Sequence, residues 1–229
     1  MRKLVIVPTY NEIDNMKVLL PELIALQNDF DILVVDDSSP DKTADFVQEF
    51  SKNEKRVHLL LRQQKNGLGK AYIAGFKWGI ENKYDALVEM DADFSHRPKD
   101  LVKILKELDT NDVVIGSRYV PGGETVNWGI VRKLISRGGS LYSHLILGFS
   151  TRDWTGGFNG WRTPVLQAIG LDQIQSNGYS FQIELKYKAQ KKGYQALEIP
   201  IVFEDRRVGQ SKMSLKIVLE AFYKVWMIR

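Results

Sequence analysis

Short apolar runs alternate with amphipathic stretches through the first half of the chain. Residues 4–7, 32–35, 57–61, 86–90 and 113–116 are dominated by Val, Ile and Leu, while 12–26, 41–51, 69–82 and 98–108 repeat apolar positions three and four residues apart. Continuous apolar strands separated by amphipathic helices predict an α/β fold, a mostly parallel sheet with helices on both faces. The second half is less regular. Residues 127–148 carry a helical period interrupted at Gly138-Gly139, 152–161 read as a glycine- and aromatic-rich loop, 181–191 as a helix, 196–203 as extended chain and 214–228 as a helix. On that last helix Lys216, Glu220 and Lys224 fall four apart, and most of the remaining surface is apolar. Such a helix either packs on the core or lies at a membrane interface. No Pro/Gly-rich linker or internal repeat divides the 229 residues, which predicts one domain.

Composition narrows the chemistry. Hydrophobic residues make up 44% of the chain, enough for a sizeable core. The absence of cysteine excludes disulfides, thiolate zinc sites and a cysteine nucleophile. His58, His96 and His144 are too scattered in sequence to suggest a histidine metal cluster. A net charge of +4, with 32 basic against 28 acidic residues, is mild. Together with the lack of an aromatic and basic ladder it argues against nucleic acid as a partner. It suits an anionic substrate or an anionic membrane surface. Met1-Arg2-Lys3 followed by the apolar residues 4–8 is too short for a signal peptide and lacks a small-residue cleavage site. No apolar run approaches the roughly 20 residues that span a bilayer. The expectation is a cytoplasmic protein with a peripheral membrane contact.

Candidate chemistry collects where the strands should end. Asp91-Ala92-Asp93 follows the apolar run Leu87-Val88-Glu89-Met90. In open α/β sheets ligands sit beyond the carboxyl ends of the strands. Two carboxylates on one short turn offer hard oxygen ligands for Mg²⁺ or Mn²⁺ holding a diphosphate; the plainer reading of the same residues is a solvated turn or a helix cap. Pro8-Thr9-Tyr10-Asn11-Glu12 after the first strand presents backbone N–H groups and a flat ring to a nucleotide, unless Asn11 merely caps the helix and Tyr10 packs. After the second strand, the Asp36-Asp37 pair could accept hydrogen bonds from a base or ribose, and Asp41 suits a helix cap. The segment Lys65-Asn66-Gly67-Leu68-Gly69-Lys70-Ala71 is not a P-loop, since Ala71 stands where Ser or Thr should be. Gly67 and Gly69 still permit close approach of a ligand, and Lys70 either pairs with a diphosphate or is solvated.

Taken in order, these segments, with Gly116-Ser117-Arg118-Tyr119-Val120-Pro121-Gly122-Gly123, resemble family 2 glycosyltransferases of the GT-A fold. They are most similar to the polyprenol-phosphate mannose synthases. The resemblance continues through Asn127-Trp128, Arg132-Lys133-Leu134-Ile135-Ser136 and Asp153-Trp154-Thr155-Gly156-Gly157-Phe158, then Arg206 and Gly209-Gln210-Ser211-Lys212. It therefore covers nearly the whole chain.

The resemblance implies a GDP-mannose donor, bound through residues 1–120, and a polyprenyl monophosphate acceptor, bound through residues 121–229. By position Pro8, Tyr10, Glu12 and Asp37 would bind the guanosine. Asp91 and Asp93 would serve the metal, Mg²⁺ or Mn²⁺, and the donor diphosphate. Lys70, Arg206 and Lys212 would also face the nucleotide sugar, the last two flanking a Gly209 loop. Many relatives carry Gln where this chain has Ser95, whose shorter side chain would reach the metal through water. Arg118 would join Asp91 and Asp93 at the reacting centre. Arg132 and Ser136, four apart on one helix face, would grip the acceptor phosphate with Arg118. Relatives often append C-terminal transmembrane helices. This chain is expected to rely on apolar helical surface at 134–149 and 214–228, or on a separate membrane-anchoring partner. Acceptor phosphates are largely ionised at neutral pH, with a second pKa near ~6, so no strong general base is expected.

Overall fold

The computed structural model describes residues 1–26, 29–205 and 223–229. Strands and helices alternate as the pattern predicts: β1 (Lys3–Thr9), α1 (Ile13–Ala25), β2 (Asp31–Asp36), α2 (Thr43–Asn53), β3 (Val57–Leu61), α3 (Leu68–Glu81), β4 (Ala86–Glu89), α4 (Pro98–Glu107) and β5 (Val113–Ser117). Then come β6 (Glu124–Val126), α5 (Ile130–Leu147), β7 (Asn159–Arg162), α6 (Thr163–Ile169), α7 (Tyr179–Lys191), β8 (Ala196–Pro200) and β9 (Val202–Glu204). The main sheet has seven strands in the order β3-β2-β1-β4-β7-β5-β8. All its pairings are parallel except those of β7, which runs antiparallel to both β4 and β5.

The strands read as unbroken apolar runs because both faces are covered. Val5, Val7, Ile32 and Val34 join the side chains of α1, α2 and α4 in one core. Their strand neighbours Leu4, Ile6, Leu33 and Val35 join α3, α6 and α7 in a second core on the other face. This is the two-residue alternation of a pleated strand buried on both sides.

Helix α3 lies unusually close to the sheet. A Cβ on Gly79 would come 2.0 Å from Leu87 Cδ2, and one on Gly75 would come 2.6 Å from Ile6 Cγ2. Filling either position would push the helix away, at a cost of about 1–3 kcal/mol typical of overpacking. The two glycines are four apart, so they share the face that also carries Tyr72. The close approach brings the Tyr72 hydroxyl to the end of β4.

Four expectations from the pattern are corrected. The predicted loop 152–161 ends in a strand, β7, wedged between β4 and β5. Asn159-Gly160-Trp161-Arg162 has no apolar run to mark it as a strand. Gly160 passes under Leu108 and Ile104, and Trp161 fills the opposite core. Gly138-Gly139 do not interrupt α5, which runs unbroken to a left-handed cap at Gly148. Its outer surface simply carries no side chain at Gly138. The extended stretch 196–203 divides into β8 in the main sheet and β9, which pairs with β6 in a separate two-stranded sheet. Asn11 does not cap α1. The amides of Glu12 and Ile13 donate instead to Thr43 Oγ1 (3.2 Å) and Asp41 Oδ2 (3.0 Å), so the segment leading into α2 caps α1 from outside.

Residues 223–228 are helical, and the remainder of the predicted helix 214–228 lies outside the described residues. Among the described residues, no helix is long and apolar enough to cross a membrane.

Candidate active site

Strand order reverses direction at β1, which is flanked by β2 on one side and β4 on the other. A crevice opens beyond the carboxyl ends of these strands, as it does at switch points of open α/β sheets. The resulting cavity holds about 490 Å³, within the usual range for small-ligand sites.

At one end the loops after β1, β2 and β3 meet. Pro8, Tyr10, Glu12 and Asp37 all line the cavity. The two adjacent aspartates after β2 have separate tasks. Asp36 is consumed internally, accepting from Thr9 Oγ1 (2.8 Å), Ser39 N (2.8 Å) and Ser39 Oγ (2.6 Å). Asp37 faces the cavity and accepts from Arg62 Nη1 at 2.8 Å. Burial raises the Asp37 pKa, and the pull of the Arg62 charge offsets this only in part. Lys65 Nζ sits 3.6 Å from the centre of the Tyr10 ring, a cation–π contact. Lys65 lines the cavity, whereas the predicted Lys70 is an exposed residue in the first turn of α3 and does not. Between the two lysines Gly67 turns the chain with φ +92°, which separates Lys65 at the crevice from Lys70 on the outer side of α3.

Asp91 and Asp93 both line the middle of the cavity. The Tyr72 hydroxyl donates to Asp91 Oδ1 at 2.9 Å, and the Asp91 amide donates to His96 Nδ1 at 3.0 Å. His96 is therefore unprotonated at Nδ1. Its pKa is lowered by burial, against the opposing pull of Asp91 and Asp93. The ring stacks on Phe158 with centroids 4.4 Å apart. Phe94 takes a left-handed φ of 61°, a conformation that costs a bulky residue of order 1–3 kcal/mol. The resulting turn lets the Ser95 amide donate to Asp93 Oδ1 at 3.1 Å.

The Ser95 side chain is not brought to the cavity wall. It is buried, and its hydroxyl has no hydrogen-bond partner among the described residues. Its contribution to Asp93 is through the backbone. Among the described residues no three His, Cys, Asp or Glu side chains gather closely enough to hold an ion alone. Two carboxylates on one turn nonetheless fit a hard divalent ion whose other ligands are phosphate oxygens and water, the usual arrangement for Mg²⁺.

The far end of the cavity carries two arginines, each paired with a carboxylate. Arg118, just past β5, is buried, and its fork meets a buried carboxylate. Nε donates to Asp153 Oδ2 at 2.7 Å and Nη2 to Asp153 Oδ1 at 2.6 Å. Nη2 also lies 2.9 Å from Thr155 Oγ1. Burial alone would raise the Asp153 pKa, but the Arg118 charge and hydrogen bonds outweigh it and hold the carboxyl below its ordinary value. Arg132 and Ser136 share the inner face of α5, as their spacing predicts, and both line the cavity with Arg118. Arg132 Nη1 donates to Asp205 Oδ1 at 2.6 Å, and its guanidinium lies 4.1 Å from the Trp128 ring centre. Ser136 Oγ accepts from the Tyr119 hydroxyl at 2.7 Å. Beyond these polar groups the lining turns apolar with Ile135, Tyr142, Ile183 and Val225. Arg206 and Lys212 lie outside the described residues.

Beneath the site runs a buried polar network that the pattern did not reveal. Glu89 accepts from Gln182 Nε2 (2.9 Å), Asn159 Nδ2 (3.0 Å) and Trp161 Nε1 (3.1 Å). Lys186 is buried beside it on α7. The one sequence signal was Glu89 itself, a carboxylate inside an apolar strand, which demands buried donors.

A family model described as glycosyl transferase family 2 matches residues 4–170. The chain belongs to this family. Across nearly its full length the family member is 48% identical to the undecaprenyl-phosphate mannosyltransferase of Micrococcus luteus, covering 98% of this chain and 93% of that protein. It is 44% identical to the polyprenol monophosphomannose synthase of Mycolicibacterium smegmatis, covering 100% and 88%. Two solved structures share its GT-A fold. The glucosyl-3-phosphoglycerate synthase of Mycobacterium tuberculosis, solved with Mn²⁺, UDP and glucosyl-3-phosphoglycerate, superposes with a TM-score of 0.67 at 16% identity, covering 99% of this chain and 78% of that one. The mannosyltransferase of Pyrobaculum calidifontis, solved with GDP-Man and Mn²⁺, gives 0.60 at 17% identity, covering 99% and 73%.

Proposed function

We propose that this glycosyltransferase moves mannose from GDP-mannose to a polyprenyl monophosphate, giving polyprenyl β-mannosyl phosphate and GDP. One observation carries the reading. A single cavity runs from a nucleotide-sized end at Pro8, Tyr10 and Asp37, past Asp91 and Asp93, to Arg118, Arg132 and Ser136, and then becomes apolar. A nucleoside diphosphate sugar followed by a phosphate on a hydrocarbon tail has the same sequence of chemistries. The names of the two close relatives supply mannose and the polyprenol.

In this reading an acceptor phosphate oxygen attacks the mannose anomeric carbon while the bond from that carbon to the GDP diphosphate breaks, with inversion. The phosphate is already ionised, consistent with the neutral, buried His96 serving position rather than proton transfer. A divalent ion held by Asp91 and Asp93 would offset charge on the departing diphosphate. Arg118, Arg132 and Ser136 orient the acceptor phosphate; Tyr10, Glu12 and Asp37 hold the guanosine. Catalysis then rests on positioning and charge stabilisation.

The tail needs a membrane. Ile130, Val131, Leu134, Leu141 and Leu145 of α5 are all exposed, interspersed with exposed Lys133 and Arg137. Tyr223, Trp226 and Met227 are exposed beside them, joined through a Trp226 Nε1 to Tyr142 hydroxyl hydrogen bond of 2.7 Å. Apolar side chains with flanking cations suit the interface of an anionic bilayer. The opposite face of α5 lines the cavity, so the acceptor would enter from the surface that α5 touches.

The test is transfer of radiolabel from GDP-mannose to polyprenyl phosphate, with Mg²⁺ or Mn²⁺ and an EDTA control. Metal-dependent label in the organic phase is expected. No transfer from GDP-mannose, with transfer from a UDP-sugar, would overturn the donor assignment.

A further inference from the structure

Lys186 is a buried cation with no place in the chemistry above, and its partners say what it does. It stands on α7 and is 1% exposed. Its ammonium donates to the carbonyl oxygens of Asp153 (2.8 Å), Trp154 (3.3 Å) and Gly156 (2.8 Å). An ammonium has three protons, and one turn takes all of them. The cavity side of this turn carries the polar groups of the acceptor end. Asp153 accepts from Arg118 through both carboxylate oxygens, and Thr155 Oγ1 lies near Arg118 Nη2, Ser136 Oγ and Ser140 Oγ.

We propose that Lys186 is a positioning residue: it clamps the 153–156 turn from inside the protein and so sets Arg118 and Thr155 for the acceptor phosphate. This rests on the assignment of the Arg118 end of the cavity to the acceptor.

Residues 153–156 belong to no helix or strand, so their carbonyls need partners from elsewhere. The side chains of Asp153 and Thr155 are directed toward Arg118, and the carbonyls of Asp153, Trp154 and Gly156 toward α7. Glu198 of β8 fixes the entry to the turn, accepting from the amides of Arg152 (2.8 Å) and Asp153 (2.9 Å). The Gly156 amide closes the turn on Asp153 Oδ1 at 2.9 Å. Among the described residues Lys186 donates to three carbonyls of the turn, and Asn159 Nδ2 adds a second donor to the Gly156 carbonyl at 3.1 Å. Burying a lysine is costly, and the neighbouring Ile183 and Leu185 show that α7 packs apolar side chains well at adjacent positions. A Met or Leu would serve the core there. Only a cation with several donors holds the turn.

The test replaces Lys186 with Met, which keeps the length of the aliphatic stem and removes the donors. Expected is a fall of roughly 100-fold in kcat/KM for polyprenyl phosphate, the scale of an ångström's misplacement, with GDP affinity unchanged by calorimetry. In an Arg118→Ala background the same substitution should change acceptor kcat/KM by less than about threefold, because the two act through one contact. Equal losses in both backgrounds, a parallel loss of GDP affinity, or no loss at all would overturn the proposal. If Lys186→Met does not fold, Lys186→Leu, which also removes the donors, gives the same comparison; failure of both to fold would assign Lys186 to the fold and sink the idea. Wild-type protein inert toward polyprenyl phosphate would remove the acceptor assignment and this inference with it. An active wild type with an unaffected Lys186→Met would remove this inference alone.

Discussion

Tyr72 donates its phenolic hydrogen to Asp91 Oδ1 over 2.9 Å, joining the first turns of α3 to the loop after β4. Burial pushes the Tyr72 pKa well above its usual value, and the charges of Asp91 and Glu89 push it further. The hydroxyl is therefore a fixed donor that aims one carboxylate oxygen. Groups that orient metal-binding carboxylates typically change metal affinity by roughly 10–100-fold when removed. Tyr72→Phe keeps the ring and its stacking on Phe181, so the effect should be confined to Asp91. Mn²⁺ binding in the presence of GDP, followed by electron paramagnetic resonance, should weaken by that factor. Unchanged binding would show that the Tyr72 hydroxyl does not orient Asp91 for the metal.

Asp153→Asn tests the far end. Asp153 is fully buried and paired with Arg118. Removing one partner of such a pair leaves an uncompensated buried charge and costs about 3–5 kcal/mol. The Asp153 pKa is depressed in the folded state. Its contribution is therefore present above the unfolded value of about 3.9 and lost as pH falls through the lower folded one. Thermal melts should show wild type losing part of its advantage over Asp153→Asn only below about pH 4. An advantage already fading between pH 7 and pH 5 would contradict a depressed pKa.

What the chain declared openly were elements whose chemistry is local. Strands β1, β2 and β4 are built around apolar runs, so their ends located Asp37, Asp91 and Asp93 in the cavity. Arg132 and Ser136 followed from helical spacing. Strand β7 was hidden because tertiary packing, with Gly160 beneath α4, decides its pairing rather than propensity. Lys65 was passed over for Lys70 because which lysine faces the crevice depends on the Gly67 turn, a backbone angle and not a composition. The polar residues Gln182, Glu184 and Lys186 of α7 are all buried. Their partners come from β4, the 153–156 turn and the chain before α7, which no local pattern announces.

Donor binding should carry the signature of Asp37. A charge-assisted hydrogen bond contributes about 1.5–3 kcal/mol, so Asp37→Asn should raise the GDP-mannose KM by roughly 10–100-fold while leaving the acceptor KM alone. Burial raises the Asp37 pKa, so the ionised form that accepts from a base is lost earlier on acidification than at an exposed aspartate. Calorimetric GDP affinity in wild type should therefore begin to fall at a pH above the ordinary aspartate range, and the fall should be absent in Asp37→Asn. A pH dependence shared by both proteins would place the titrating group elsewhere.

The exposed face of α5 makes a prediction that separates membrane contact from catalysis. Leu141 and Leu145 lie on its outer surface at 58% and 71% exposure, away from the inner face that carries Arg132 and Ser136. Burying a leucine fully is worth about 1.5–3 kcal/mol, so even partial insertion of two makes Leu141→Glu/Leu145→Glu costly for docking. Flotation with anionic vesicles should show binding reduced about tenfold or more. Transfer to a short, water-soluble prenyl phosphate should be unchanged, because neither side chain reaches the cavity. High salt should weaken wild-type binding further by screening Lys133 and Arg137. Undiminished flotation of the double variant would mean that another surface meets the membrane, and sedimentation of wild type as a dimer that the variant lacks would assign the face to a second copy of the chain.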